Sequence, residues 1–384
     1  MEKAGILTLY YKNYNFGGLL QAYALPKILN NKFKIDAEQI RYSLDVEDKC
    51  EDKSENTRLK LDSIAYKMGI YVFSKMKERK IHARKRVFEE FMEEIPHSKE
   101  IYSHQSITKC LKKYQILICG GDQIWNVCNG VNNLAVFTLK FAPENVRKIA
   151  YSPSMAILEI NNEGKECMEQ GLAELNAISV REKKSIDILK TITDKKIEIV
   201  VDPVLLLEKD EWNKELKLPV IKNKYILCYL INDNVMQRKA IEKIAKKLKL
   251  QIVTFPHILA NAVRKCDLFF GDVHDYTSGP REFVGLIENA EFVITDSFHA
   301  CVFSMIFKTP FVVFERNIIG EKGNMNSRIY DFLEEYHLEG QLVTEKELVD
   351  MKEIPKVDFT YAHEHWKKRR EESLEYLENA LKDN

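Results

Sequence analysis

Short apolar runs alternate along the chain with longer stretches in which apolar residues recur every three or four positions. This alternation is typical of βα units around a mostly parallel sheet. In the first half it predicts a helix that begins near Leu19, a helical insertion at about residues 57–95, and five strands at residues 6–10, 115–119, 148–152, 177–180 and 197–201.

A second series of elements starts near Lys224. It predicts strands at 225–231, 251–255, 291–295 and 311–314, helices at 236–250, 281–290 and 300–307, and a charged closing helix at 363–384. A chain of 384 residues exceeds the size at which one hydrophobic core usually stops growing. The pattern therefore predicts an α/β fold with two Rossmann-like, doubly wound halves, residues 1–215 and 216–384, joined by a linker at 212–223.

The amino-acid composition argues against several classes of protein. The 58 basic and 58 acidic residues cancel, which gives no reason to expect nucleic acid as a partner. The chain has no uninterrupted apolar run of membrane-spanning length, and its eight cysteines form no CxxC pair. A transmembrane helix, a zinc site and a disulfide framework are therefore not indicated. We expect a cytoplasmic protein, with peripheral contact at the inner face of the membrane as an open alternative.

Loops that follow predicted strands are the candidates for chemistry, because ligands in open α/β sheets bind at the carboxyl ends of the strands. The first such loop, NYNFGGLLQ, contains Gly17 and Gly18. A glycine pair at a helix N-terminus lets backbone amides approach an anion, although a plain tight turn uses the same residues.

The loop GGDQIWN follows a fully apolar strand and places Asp122, Gln123 and Asn126 at its end. These side chains suit hydrogen bonding to a sugar acceptor. Trp125 would either stack on a sugar ring or pack as a lid over the core.

Two further loops bring a cation and a histidine to strand ends. Arg181 follows the predicted strand AISV, where a guanidinium can bind a carboxylate or phosphate or can pair with a neighbouring acid. In VITDSFHACVF, Asp296 and Ser297 suit the N-cap of a helix and His299 lies in its first turn. Histidine is the commonest general acid or base, and we predict that these three residues face a ligand.

The loops resemble segments of the polysaccharide pyruvyl transferase family. The resemblance covers about residues 5–335, in the family's order, through NYNFGGLLQAYAL, GGDQIWN, YSPSMA, ISVREK, VDPVLLL, ENAEFVITDSFHACVFSMIFKTPFVVF and NSRIYDFL. It implies a GT-B-like fold with a cleft between the halves and a final helix that crosses back to the first half. It also implies phosphoenolpyruvate as donor and a hexose of a cell-surface glycan, or of its lipid-linked precursor, as acceptor of a pyruvate ketal.

Residue by residue, the resemblance assigns Arg181 to donor binding and matches His299 to the family's histidine after the late strand. Many relatives carry an arginine two residues before that histidine, where this chain has Ser297. A second cation for the donor would then come from elsewhere in the chain, and the candidates are Arg281, Arg316 and Arg328.

Ketal formation needs an acid or base and cations for a highly charged donor. We therefore predict His299 as the general acid or base, Arg181 as the donor clamp, and the amides near Gly17 and Gly18, with Ser297, as further donor contacts. No cofactor is predicted, since phosphoenolpyruvate is a co-substrate. Two rival functions stay open: a GT-B glycosyltransferase that uses a nucleotide sugar, and a non-catalytic glycan-binding relative.

Overall fold

The computed structural model of the protein describes residues 2–44, 64–157, 159–218, 221–259, 262–316 and 326–382, with the backbone alone for 64–78, 259 and 262. Residues 57–63 of the predicted insertion and Pro219 of the predicted linker lie outside the described residues.

Seven parallel strands form the first sheet, in the order β3-β2-β1-β4-β5-β6-β7. They are β1 (Lys3–Leu7), β2 (Asp36–Tyr42), β3 (His97–Tyr102), β4 (Ile116–Gly120), β5 (Arg147–Tyr151), β6 (Ala177–Val180) and β7 (Glu198–Ile199). The α-helices of this part of the chain are α1 (Phe16–Asn31), α2 (Ile64–Glu94), α3 (Val131–Phe137), α4 (Asn162–Glu174), α5 (Lys183–Leu189) and α6 (Lys209–Asn213). Three 3-10 helices cover Ile107–Lys112, Val127–Asn129 and Pro203–Leu206.

A second parallel sheet has the order β12-β9-β8-β13-β14. Its strands and a separate antiparallel pair are β8 (Tyr225–Tyr229), β9 (Gln251–Thr254), β10 (Ile258–Leu259), β11 (Ala262–Val263), β12 (Val273–His274), β13 (Phe292–Thr295) and β14 (Phe311–Val313). The helices are α7 (Val235–Leu248), α8 (Pro280–Glu288), α9 (Phe298–Phe307), α10 (Ser327–Glu335), α11 (Glu345–Asp350) and α12 (Thr360–Leu381), with 3-10 helices at Lys265–Asp267 and Glu339–Gln341.

The strands that the sequence predicts are all present, with ends that differ by a few residues, but β2, β3 and the two-residue strands β10, β11 and β12 were not predicted. Strand β2 contains a buried polar residue, Gln39, whose Nε2 donates to Ala22 O at 2.8 Å. Strand β3 is the edge of the sheet and exposes Lys99, Glu100 and Ile101. Charged edge strands and buried polar positions both obscure the apolar pattern on which the prediction depends.

An aromatic cluster joins the two sheets close to the first turn of α1. The ring of Phe16 stacks on Phe283 of α8, with centroids 4.5 Å apart, and meets Tyr229 of β8 edge-on at 5.5 Å. These three side chains are part of one hydrophobic core cluster that contains residues of both sheets. The halves are therefore packed against each other where the glycine pair of α1 begins.

Trp212, predicted as the start of a linker, lies in α6 and is 1% exposed. Its Nε1 donates to Val204 O at 3.0 Å, and its ring packs edge-on against Phe303. The linker prediction was therefore wrong at Trp212, because this residue is part of the core. The boundary between residues 215 and 216 stays a prediction, and the two sheets fall on either side of it.

Helix α12 packs on the first sheet at the end of the chain. Trp366 Nε1 donates to Leu205 O, and Tyr376 Oη donates to Ala150 O, both at 2.8 Å. Across the described ranges, no helix is both long enough and apolar enough to pass through a membrane.

Candidate active site

Arg181, Asp202 and His299 form a line of polar contacts at the junction of the two halves. Arg181 follows β6, and its Nη1 donates to Asp202 Oδ2 at 2.5 Å. His299 lies in the first turn of α9, with its Nε2 3.6 Å from the same Oδ2. Asp202 Oδ1 accepts from Val204 N at 3.0 Å, which caps the 3-10 helix after β7. One carboxylate thus holds an arginine of the first half beside a histidine of the second.

The carboxyl group of Asp202 is completely buried. Burial alone would raise its pKa, but His299 and Arg181 together hold the pKa well below its ordinary value. Asp202 is therefore a fixed negative charge between these two side chains.

The absence of a side chain at Gly17 allows His299 to approach α1. A β carbon built on Gly17 would lie 2.0 Å from His299 Nδ1. Gly17 belongs to the first turn of α1, whose N-cap residue Asn15 accepts from Gly18 N at 3.1 Å. The first turns of α1 and α9 therefore meet here, and the dipoles of both helices favour a negative charge at this point.

Arg328 lies in the first turn of α10 and adds a second buried guanidinium to the site. With its amide oxygen turned towards this group, Gln123 accepts from Arg328 Nη1 at 3.1 Å and from Nη2 at 2.6 Å. Burial, followed by the charges of Arg181 and Arg316, lowers the pKa of Arg328 to about 9. The charges of Arg181 and Arg316 therefore disfavour the charged form of Arg328, and a bound anion would favour it.

A cavity of about 30 Å³ adjoins Arg181 and Arg328. This volume holds about two water molecules. Several polar atoms of its wall have no hydrogen-bond partner within the described part of the chain, namely Arg181 Nη2, Glu182 Oε2, Arg328 Nε, Asp331 Oδ2 and Tyr336 Oη. Because buried polar atoms are rarely left unpaired, the cavity suits a small polar group of a ligand.

Asp331 lies in the wall of this cavity. Burial and the nearby negative charge of Glu182 raise the pKa of Asp331. A raised pKa increases the fraction of Asp331 that is protonated and able to donate a hydrogen bond to an anion.

Most of the residues predicted for the site come together. Arg181 and His299 share Asp202, and Gly17 contacts His299. A β carbon built on Gly18 would lie 3.1 Å from Asp122 Oδ2, so the first and second glycine-containing loops are neighbours.

Arg281 is placed elsewhere. Its Nη1 donates to Glu215 Oε2 at 2.9 Å, its Nη2 pairs with Glu94, and its guanidinium packs over the ring of Phe91. These contacts tie α8 to α2 and to the segment after α6. They do not support the prediction that Arg281 contacts the donor. The remaining candidates are Arg328, which lines a cavity with Arg181, and Arg316, whose charge acts on Arg328.

Ser297 is the N-cap residue of α9, as predicted, but its side chain makes no capping hydrogen bond. Asp296, which we predicted to face a ligand, accepts from the backbone amides of Ile231 and Asn232, each at 2.7 Å. The prediction for Asp296 was wrong, because its two oxygens fix the loop after β8 to the end of β13.

Trp125 does not present a stacking surface. It is 0% exposed, belongs to a core cluster of the first half, and donates from Nε1 to Phe137 O at 3.0 Å. The prediction that Trp125 stacks on the acceptor was therefore wrong. The alternative prediction, that its ring packs on the core, is confirmed. Asn126 caps the next 3-10 helix by accepting from Cys128 N at 2.9 Å.

Asp202 and Glu182 were not predicted as site residues. Glu182 directly follows Arg181, and its Oε1 accepts from Ser154 Oγ and Met155 N, both at 2.9 Å. It thereby holds the YSPSMA loop beside the cavity. Both acids lie in segments of the family resemblance, Glu182 in ISVREK and Asp202 in VDPVLLL, but neither was singled out there.

Solved structures with a similar fold include a UDP-N-acetylglucosamine 2-epimerase from Rickettsia bellii, at 10% identity and a TM-score of 0.51, covering 99% of this chain and 96% of the other. Another is a protein described as a UDP-N-acetylglucosamine 2-epimerase from Listeria monocytogenes, also at 10% identity, with a TM-score of 0.52 and coverage of 96% and 90%. At this identity the likeness concerns the fold alone, and it confirms the predicted GT-B-like α/β fold with two Rossmann-like halves.

A search of curated proteins finds no match. The family model for polysaccharide pyruvyl transferase matches residues 15–317, which is most of the chain and includes Gly17, Asp122, Arg181, Asp202 and His299. This chain belongs to the polysaccharide pyruvyl transferase family.

Proposed function

We propose that this protein moves pyruvate from phosphoenolpyruvate to a hexose of a cell-surface glycan, or of its lipid-linked precursor, and forms a pyruvate ketal. The observation that carries the proposal is that Arg181 and Arg328 line one buried cavity, while Arg181 shares the carboxylate of Asp202 with His299. Burial, followed by the charges of Arg181 and Arg316, lowers the pKa of Arg328 to about 9, and a bound anion would stabilise the charged form of this guanidinium.

Phosphoenolpyruvate carries a carboxylate and a phosphate, so it requires more than one cationic contact. The cavity beside Arg181 and Arg328 has room for a group the size of a carboxylate rather than for the whole donor. We place the donor's carboxylate there and its phosphate towards the first turns of α1 and α9. In this pose the donor's methylene carbon would face His299.

The reaction balances without an oxidant or a reductant. A proton adds to the methylene carbon, one sugar hydroxyl forms a bond to the adjacent carbon and loses its proton, and the carbon–oxygen bond to phosphate breaks. A second hydroxyl then attacks the same carbon and loses its proton, which closes the ketal. His299 is the proton-transfer group in this proposal, and Asp202 is the positioning residue that orients both His299 and Arg181.

Donor binding is tested by the melting temperature of the whole protein, since a ligand that binds only the folded state raises it. We expect phosphoenolpyruvate to raise the melting temperature and UDP-N-acetylglucosamine to leave it unchanged. A rise with UDP-N-acetylglucosamine alone would favour a nucleotide-sugar glycosyltransferase. No rise with either compound would favour a non-catalytic relative, and both results would overturn the proposal.

The role of His299 is tested by His299→Asn, with His82→Asn on the exposed surface of α2 as the matched control. We expect His299→Asn to keep the thermal shift with phosphoenolpyruvate and to lose about 100-fold or more in ketal formation, measured by mass spectrometry of the acceptor. Full turnover by His299→Asn would refute the assignment of His299.

A further inference from the structure

A groove with a volume of about 1070 Å³ adjoins the cavity of the candidate site. Arg181, Asp331 and Glu335 line both spaces, so the groove opens beside the donor position. It continues along the edge strand β7, between this strand and helices α10 and α12. Pockets for a single small ligand measure about 300–1,000 Å³, so the groove has room for an extended ligand.

The charges of the groove are mostly paired within its wall. Arg369 Nε binds Glu335 at 2.8 Å and its Nη1 binds Glu372 at 2.5 Å. Lys196 binds Glu198 at 2.9 Å. Paired charges leave many donors and acceptors but little excess charge of either sign. Such a surface matches a neutral ligand rich in hydroxyl groups better than it matches a polyanion.

A stack of aromatic rings forms one wall of the groove. His337 and Tyr361 are parallel to within 3°, with centroids 3.8 Å apart, and Tyr361 and His365 are parallel to within 9° at 5.5 Å. Tyr361 is 42% exposed, and His337 is also exposed. All three side chains line the groove. The exposed parts of these aromatic rings offer apolar surface to the C–H groups of a sugar. His365 Nε2 lies 3.5 Å from Glu335 Oε1, which holds the last ring of the stack.

We infer that this groove binds the glycan chain of the acceptor, with the stack His337–Tyr361–His365 as the contact surface for a sugar unit. The inference rests on the proposed function. It assigns the glycan chain of the acceptor to this groove, whereas the sequence analysis predicted acceptor contacts at residues 122–126. The terminal hexose would lie beside Arg181 and Asp331, next to the donor. The remaining units would follow β7 towards Arg369.

The test uses the full chain labelled with isotopes at histidine, so that NMR reports on His337, His365 and His299 separately. The probes are the methyl glycosides and trisaccharides of glucose, galactose and mannose, added without phosphoenolpyruvate. We expect at least one trisaccharide to shift the signals of His337 and His365. We expect Tyr361→Ala to weaken its binding by about tenfold and Tyr361→Phe to restore it.

Phe269→Ala is the matched control, because Phe269 is an aromatic residue that is 80% exposed and does not line the groove. It should leave the dissociation constant within about twofold of the wild type. Unchanged binding in Tyr361→Ala, signals that move only at His299, or no shift with any probe at tens of millimolar would each overturn the inference. A shift of His337 and His365 with UDP but with no neutral sugar would do the same.

Failure of the proposed function gives a different result. One possible result is that phosphoenolpyruvate produces no thermal shift while the trisaccharide still shifts the NMR signals of His337 and His365. This result would refute phosphoenolpyruvate as the donor but would support glycan binding in the groove. If phosphoenolpyruvate binds but no sugar does, only the inference that the groove binds a glycan is refuted.

Discussion

Gly17 and His299 are in direct contact across the junction of the two halves, since a β carbon on Gly17 would lie 2.0 Å from His299 Nδ1 and 2.2 Å from its Cγ. Both atoms belong to the ring, which cannot bend away as the end of a long side chain can. The first turn of α1 therefore sets the position of the imidazole.

We predict that Gly17→Ala displaces His299 and lowers pyruvyl transfer by about 100-fold. The backbone of Gly17 is within a helix and does not have a positive φ, so alanine would otherwise favour the helix by about 0.5–1 kcal/mol. A loss of activity would then result from the contact with His299. Steady-state assays of Gly17→Ala measure this effect.

Gly340→Ala is the control for this prediction, because a β carbon at Gly340 would meet nothing within 4 Å. It should keep full activity. Wild-type activity in Gly17→Ala would show that the position of the imidazole does not limit the reaction.

Asp202→Asn should destabilise the protein by about 3–5 kcal/mol, because it leaves the buried guanidinium of Arg181 without its carboxylate. The folded pKa of Asp202 is below its unfolded value of 3.8, so the carboxylate stabilises the fold fully above about pH 4. This stabilisation is lost as the pH falls through the folded pKa. Urea denaturation of wild type and variant at pH 7 and at pH 3 measures the difference, which should shrink at the lower pH.

Asp187→Asn, on the exposed surface of α5, is the matched control and should change stability by less than about 0.5 kcal/mol. An equal destabilisation by Asp202→Asn at both pH values would contradict the low pKa that we assign to Asp202.

Trp125→Phe should lower the free energy of unfolding by about 1–3 kcal/mol, because it removes the donor to Phe137 O in a buried position. It should leave the KM for the acceptor within about twofold, since the ring does not reach the surface. Thermal denaturation and acceptor titration separate the two effects. A large increase in the KM of an otherwise stable variant would restore the stacking role that burial excludes.

The sequence predicted site residues correctly where the position of a residue follows from the strand that precedes it. Arg181 and His299 each follow an apolar strand, and the carboxyl ends of parallel strands meet at one edge of a sheet. Their approach could therefore be predicted without knowledge of side-chain contacts. Trp125 shows the limit of this reasoning, because the same loop pattern results whether the ring turns towards a ligand or towards the core.

The shared carboxylate of Asp202 and the second guanidinium of Arg328 could not be predicted in the same way. A strand was predicted at residues 197–201, directly before Asp202, but the pattern of a strand does not indicate which distant side chains its last residue contacts. Arg328 lies 147 positions after Arg181, and its proximity depends on how the second half packs on the first. Packing of this kind involves contacts between distant segments that no local pattern records.

Arg328→Met should stabilise the free protein and abolish the thermal shift with phosphoenolpyruvate. The lowered pKa, about 9 against 12.5, means that the folded protein carries the full destabilisation of this charge at neutral pH. Replacement by an apolar side chain should therefore raise the free energy of unfolding by about 1–4 kcal/mol. Arg281→Gln, which alters an arginine paired to Glu215 outside the site, should keep the thermal shift.

A second cation at Ser297 should compensate for the loss of Arg328. The family resemblance implies an arginine at that position, and the Ser297 side chain makes no capping hydrogen bond that the substitution would remove. We predict that Ser297→Arg in the Arg328→Met background restores at least part of the thermal shift with phosphoenolpyruvate, because it adds a guanidinium at the N-terminus of α9, two residues before His299. The double variant must fold, as judged by its melting temperature. If it folds and phosphoenolpyruvate still produces no thermal shift, then the positive charge of Arg328 alone does not account for donor binding.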